Sequence, residues 1–140
     1  MAAFMQRHQG WTFAVLRIVA GLLFLCHGLD KLVGWPLGMP AGMQVPAFIT
    51  YVAGPIELGT GVLIALGLFT RGAAFLASGQ MAAAYWIGHG KSALVPTWNP
   101  LALIPDVNRG EIAVLYCFLF LFISAHGAGI WSVDAGRAQG

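Results

Sequence analysis

Charge is scarce in this chain. Lysine, arginine, aspartate and glutamate together supply 9% of the 140 residues, against about 25% in an ordinary soluble domain. So few charges cannot keep in water a chain that is 59% hydrophobic with a mean hydropathy of +0.78, and a water-soluble globule is excluded. Cysteine is almost missing. Cys26 and Cys117 stand far apart, outside any CxxC or metal-type spacing, and read as small apolar helix residues, with a redox pair between them as the second reading. A basic stripe is also lacking, since the net charge of +2 comes from a few scattered side chains; nucleic acid is not an expected partner. No segment alternates apolar and polar residues with a period of two, and an open sheet edge is not tolerated in lipid, so strands are not expected.

What the sequence does contain is four apolar runs, at about 11–29, 46–69, 72–88 and 111–128. A bilayer-crossing helix needs about 20 mainly apolar residues, so the expected fold is an all-α membrane protein: a four-transmembrane-helix antiparallel bundle, one domain over residues 1–140. Runs two and three are joined by little more than "FTRG", which forces a tight hairpin. The first and third connections are longer, rich in Pro, Gly and Trp, and must emerge on one side, with Trp35 and Trp98 at headgroup level. Arg7, Arg71 and Arg137 fall on the side of the termini and Lys31, Lys91 and Arg109 on the other; Arg17, toward the terminal side, tips the count, and the positive-inside rule then favours both termini in the cytoplasm. A basic residue before the first apolar run suits a signal peptide too, but no A-x-A type site follows, and an uncleaved helix is expected.

Polar residues inside the apolar runs are the candidates for function. At 1.5 Å per residue, Arg17 lies about 9 Å into the first helix from the terminal side, Glu57 about 14 Å and Gln80 about 12 Å from that side. Three helices thus place their deepest polar group in one layer, and Ser124 and His126 of the fourth reach a similar depth. An unpaired charge at that depth costs at least about 2.5 kcal/mol, so an Arg17 to Glu57 ion pair with Gln80 beside it is expected. Spacing supports inward orientation: Arg17, Gly21, Phe24, Gly28 and Lys31 form one stripe, and Gly54, Glu57 and Gly61 another. The glycines let backbones approach closely. Two readings fit this layer: a clamp between helices without chemistry, or a polar pocket that binds a quinone or relays protons.

A second polar layer lies at the loop side. His27 and Lys31 end the first helix, His89 ends the third, and "NRGE" opens the fourth, with Asn108 as N-cap and Glu111 three positions on in a capping-box-like pattern. His27 and His89 end on the same side and could approach one another. Hydrogen bonding to a quinone, metal or haem ligation and a plain interfacial role are all open to them; haem is not expected, and no metal site is.

The stretches "LRIVAGLLFLCHGLDKLVG", "GPIELGTGVLIALGLFTRGAAFLASGQMAAA", His89, "NRGE" and "HGAGIWSVD", in this order and spacing, resemble the DoxX family of small four-helix membrane proteins. The resemblance implies an integral bundle in a bacterial plasma (inner) membrane, working as a subunit of an oxidoreductase system, since namesake relatives belong to a thiosulfate:quinone oxidoreductase. It picks out Arg17, Gly21, His27, Gly28, Lys31, Glu57, Gly67, Arg71, His89, Asn108, Gly110, Glu111, Ser132 and Asp134. Arg109 stands where the family usually has glycine, and the chain has no CxxC of its own. The functional expectation is a membrane subunit of a quinone-linked oxidoreductase, in contact with the bilayer and with partner subunits or a second copy of itself. No intrinsic cofactor is expected; quinone is the candidate ligand. The alternative is a non-catalytic structural or assembly subunit, with Trp35, Trp98, Met39 and Met43 at the contact surface.

Overall fold

The structure is a computed structural model that describes residues 2–36, 38, 46–90 and 100–137. Lys91 and Trp98, and with them Met39 and Met43, lie outside the described residues. Every regular element among the described residues is helical. A short helix α1 (Ala2–Arg7) leads into α2 (Gln9–Val33), which overruns the expected first run at both ends and stops at Gly34 in the left-handed conformation (φ 70°). A π turn (Ile49–Ala53) opens α3 (Gly54–Leu66), and α4 (Thr70–Ala84) closes in a second π turn (Tyr85–His89). After a 3-10 turn (Pro100–Leu103) come α5 (Glu111–His126) and a short α6 (Val133–Arg137).

Among the described residues two helical stretches are long and apolar enough to cross a membrane, Gln9–Val33 and Ile49–Leu66; α5 is apolar but has 16 residues. The outside of the chain has the character of a membrane protein. Tyr51 is 75% exposed and Phe75 67%, with Ile112, Leu115 and Phe118 also turned outward. In water such a surface is an aggregation liability; facing acyl chains it is at rest.

The longest seams run between α2 and α3 and between α4 and α5, with a shorter one between α3 and α4. The first is built on glycine. A Cβ placed on Gly21 would lie 2.5 Å from the Ala65 nitrogen, and one on Gly61 2.6 Å from the Leu25 nitrogen, so backbone meets backbone where the stripes predict it. Lipid supplies no hydrophobic drive between helices, and close dispersion contact takes its place. Large rings bridge α2 to α5: Phe24 packs on Phe120 with centroids 4.7 Å apart, within a core that includes Ile64, Ala74 and Ile123.

Candidate functional site

Arg17 answers to helix ends. It is fully buried, and its guanidinium donates to the carbonyls of Ile64 (2.6 Å), Ala65 (2.7 Å) and Trp131 (2.7 Å). The Ile64 and Ala65 carbonyls lie in the last turn of α3, where Ile64 also accepts from the Gly67 N–H (3.1 Å), and a cation there meets the negative end of the helix dipole. The expected Arg17 to Glu57 pair does not form. Arg17 faces the end of α3, and Glu57 lies seven residues earlier, about 10 Å away along the axis.

The same device recurs beside it. Arg71 donates to the carbonyls of Ser124 (2.9 Å), Ala125 (2.7 Å) and His126 (3.3 Å), closing the C-terminus of α5. Asp134 does the converse at the start of α4, accepting from the backbone N–H groups of Phe69 (3.0 Å) and Thr70 (2.9 Å) and from the Thr70 hydroxyl (2.8 Å). Desolvation works against the Asp134 charge, but the Thr70 backbone and hydroxyl bonds, the Phe69 N–H and the nearby Arg137 outweigh it and hold the carboxyl below its ordinary range. Gly67, at φ 69°, makes this crossing possible: a Cβ there would sit 2.3 Å from the Ser132 Cβ. His126 belongs to this terminal end, its ring against Phe13 at 3.8 Å between centroids. Ser124 donates to the Arg71 carbonyl here as well. Neither joins Glu57, because α5 is seamed to α4 while Glu57 faces α2 and α4.

Glu57 has other partners. It is 3% exposed, and its carboxylate is ion-paired with Lys31 through Oε2 while Oε1 accepts from Gln80 Nε2 at 2.7 Å. Three helices meet in this group, as the layer argument expects, with Lys31 in the place foreseen for Arg17. Gln80 Nε2 also reaches the Ala53 carbonyl (3.4 Å), and Gln80 Oε1 is buried without a hydrogen-bond partner.

At the loop side His89 Nδ1 contacts the Asn108 carbonyl at 2.9 Å. A carbonyl only accepts, so Nδ1 carries the proton. Asn108 Nδ2 donates to the Tyr85 hydroxyl (3.3 Å), which donates to the Leu103 carbonyl. Asn108 is not the N-cap of α5. Gly110 holds that position, with Asn108 Oδ1 accepting from its N–H at 2.8 Å, because Arg109 takes a left-handed turn (φ 59°) that sets Asn108 outside the helix. Glu111 is then the first residue of α5, exposed, and suited to the positive end of the dipole.

His27 keeps different company from His89. It stands edge-on to Tyr116, centroids 5.9 Å apart, in a groove of about 380 Å³ between α2 and α5. Leu16, Val19, Ala20, Leu23, Ile112, Leu115 and Leu119 line the rest of it, leaving the imidazole and the phenol as its polar side chains. Tyr116 was not a sequence candidate. An aromatic in an apolar helix reads as core, and only the contact of α5 with α2 shows what it faces. Among the described residues no group of three His, Cys, Asp or Glu side chains is placed to hold a metal.

Comparison with known proteins adds the following. Residues 12–90 match the DoxX family. An uncharacterized protein of Haemophilus influenzae is 38% identical over 133 residues, 93% of each chain. The Bacillus subtilis protein named "Putative oxidoreductase CatD" is 39% identical over 59 residues, 41% of this chain and 44% of its own length. No solved structure matches.

Proposed function

This chain belongs to the DoxX family, and from that premise we propose that it is a four-helix, multi-pass subunit of a quinone-linked oxidoreductase in a bacterial inner membrane, with both termini cytoplasmic. The oxidoreductase link is supported by the name of the B. subtilis relative. The observation that carries the quinone is the α2–α5 groove. It is apolar apart from two hydrogen-bonding groups, the exposed His27 and the half-buried Tyr116. Its volume falls within the range of about 300–1,000 Å³ of small-molecule sites. A quinone offers the complementary chemistry: two carbonyls that accept hydrogen bonds and an isoprenoid tail that leaves sideways between helices. Imidazole and phenol would donate to the headgroup, and the leucines would hold the ring and the first part of the tail. Electrons would come from and go to partner proteins.

Extraction of the chain directly from its native membrane into lipid nanodiscs, followed by quinone analysis, tests this reading. Quinone in excess of its share of the membrane lipid is expected, falling several-fold in His27→Leu and Tyr116→Phe. A quinone content equal to that of the bulk lipid would sink it. The alternative, a structural or assembly subunit, is favoured by Arg17, Arg71 and Asp134, which hydrogen-bond backbone groups at helix ends; it predicts that the same two variants leave quinone content unchanged.

A further inference from the structure

We propose that Glu57 is a proton-binding site inside the bundle, and that the Gln80 carboxamide is set beside it so as to hydrogen-bond either charge state. The inference stands apart from the groove, since Glu57 faces α2 through Lys31 and α4 through Gln80. A carboxylate this deeply buried, 3% exposed, needs its charge balanced, and a buried ion pair is strongly dependent on both partners. Of the two cations on the inner stripe of α2, Arg17 turns both terminal nitrogens to carbonyls at the far end of α3 and at Trp131. Lys31 is left, and its side chain is 22% exposed, close enough to loop-side water to be hydrated there instead. Asp30, next to it, accepts from the Gly38 N–H. On α4, Ser78 donates to the Cys117 carbonyl and Arg71 caps α5, so Gln80 is the polar group that α4 brings to Glu57.

The amide orientation is informative. Nε2 points at the carboxylate, while Oε1 is buried and has no donor to accept from. That arrangement serves the ionised acid. Turned half a revolution about its last bond, the nearly isosteric amide presents Oε1 to Glu57 and accepts from a carboxylic O–H, as only a protonated acid could offer. Either way one end of the amide is spare, so Gln80 does not lock the charge. Binding is a plain proton addition: a proton from loop-side water bonds to Glu57 Oε1, –COO⁻ becomes –COOH, and Lys31, still an ammonium, gives up the ion pair for water. The reverse step returns the proton. The π turn ending at Ala53, one turn before Glu57, keeps a backbone carbonyl within reach of the same amide; π turns recur at functional sites.

The chain holds two glutamates, Glu57 and Glu111, so glutamate labelled with ¹³C at the side-chain carboxyl reports on two groups. Infrared spectra of the full chain in nanodiscs, titrated with acid, should show a protonated, hydrogen-bonded carbonyl band that exchanges slowly with deuterium. The band should survive Glu111→Gln, vanish in Glu57→Gln, and move to higher frequency in Gln80→Met, where the accepting amide is gone. Should Glu57→Gln fail to fold, Glu111→Gln isolates the same band in the native site. A Glu57 that stays carboxylate at every pH the fold survives, or a band indifferent to Gln80→Met, would overturn the proposal.

Discussion

Adding one methyl group at Gly21 should loosen the whole first helix pair. The new carbon would lie 2.5 Å from the Ala65 nitrogen and 2.8 Å from the Gly61 oxygen. Both are backbone atoms and cannot swing aside. Ordinary contact at about 3.5 Å requires the helices to part by roughly 1 Å, and a gap of that size forfeits a quarter to a half of the dispersion well for neighbouring contacts along the seam. Added to the usual overpacking cost of about 1–3 kcal/mol, this puts Gly21→Ala near the upper end of that range or beyond it. Gly59→Ala is the matched control. It lies on α3 of the same pair with nothing within 4 Å of its Cβ position, and relief of glycine's backbone entropy should stabilise it by about 0.5–1 kcal/mol. Reversible unfolding of both variants in mixed micelles gives the comparison. Gly61→Ala should behave like Gly21→Ala, and the double variant should cost less than the two added, because seam and neighbours are shared. A Gly21→Ala protein as stable as Gly59→Ala would refute the backbone-contact argument.

Other outcomes follow from the terminal end. Arg17→Met fills similar space but removes the guanidinium from the carbonyls of Ile64, Ala65 and Trp131, of which Ile64 keeps the Gly67 N–H; a loss of about 3 kcal/mol is expected, with protease cleavage near Trp131 as the readout. Arg71→Met, at an exposed position, should cost less, about 1 kcal/mol, in the same assay. Asp134 carries the pH dependence: its folded carboxyl titrates below the unfolded one, so its contribution is present above the unfolded value of about 3.9 and is lost as pH falls through the lower folded value. Thermal unfolding between pH 6 and pH 3, taken as about the carboxylate range, should therefore show a steeper acid loss in wild type than in Asp134→Asn.

Much of this was legible in the sequence, because period and glycine placement are local information. The stripes Arg17–Gly21–Phe24–Gly28–Lys31 and Gly54–Glu57–Gly61 face inward, and the helices start and stop within a few residues of the apolar runs. Partner choice was less so. Depth along each helix put Arg17 and Glu57 in one layer, but the real partner of Arg17 is the end of α3, whose position depends on Gly67 and on the return of Ser132 across it. A layer also says nothing about facing, which separates His126 on Phe13 from Glu57, and His27 on Tyr116 from His89 on Asn108. The capping-box reading of Asn108 failed on a single backbone torsion, the positive φ of Arg109. A left-handed residue there ends the turn, and the helix begins after it.

The stretch from Trp131 to Asp134 touches both tightly seamed helix pairs. Trp131 receives Arg17 of the first, and Asp134 holds the opening turn of the second. It therefore acts as a latch that becomes available only after all four long helices have been made. A nascent chain halted before this point would hold both helix pairs without this fastener, and Arg17 would have two of its three carbonyls while it waited for Trp131 to arrive.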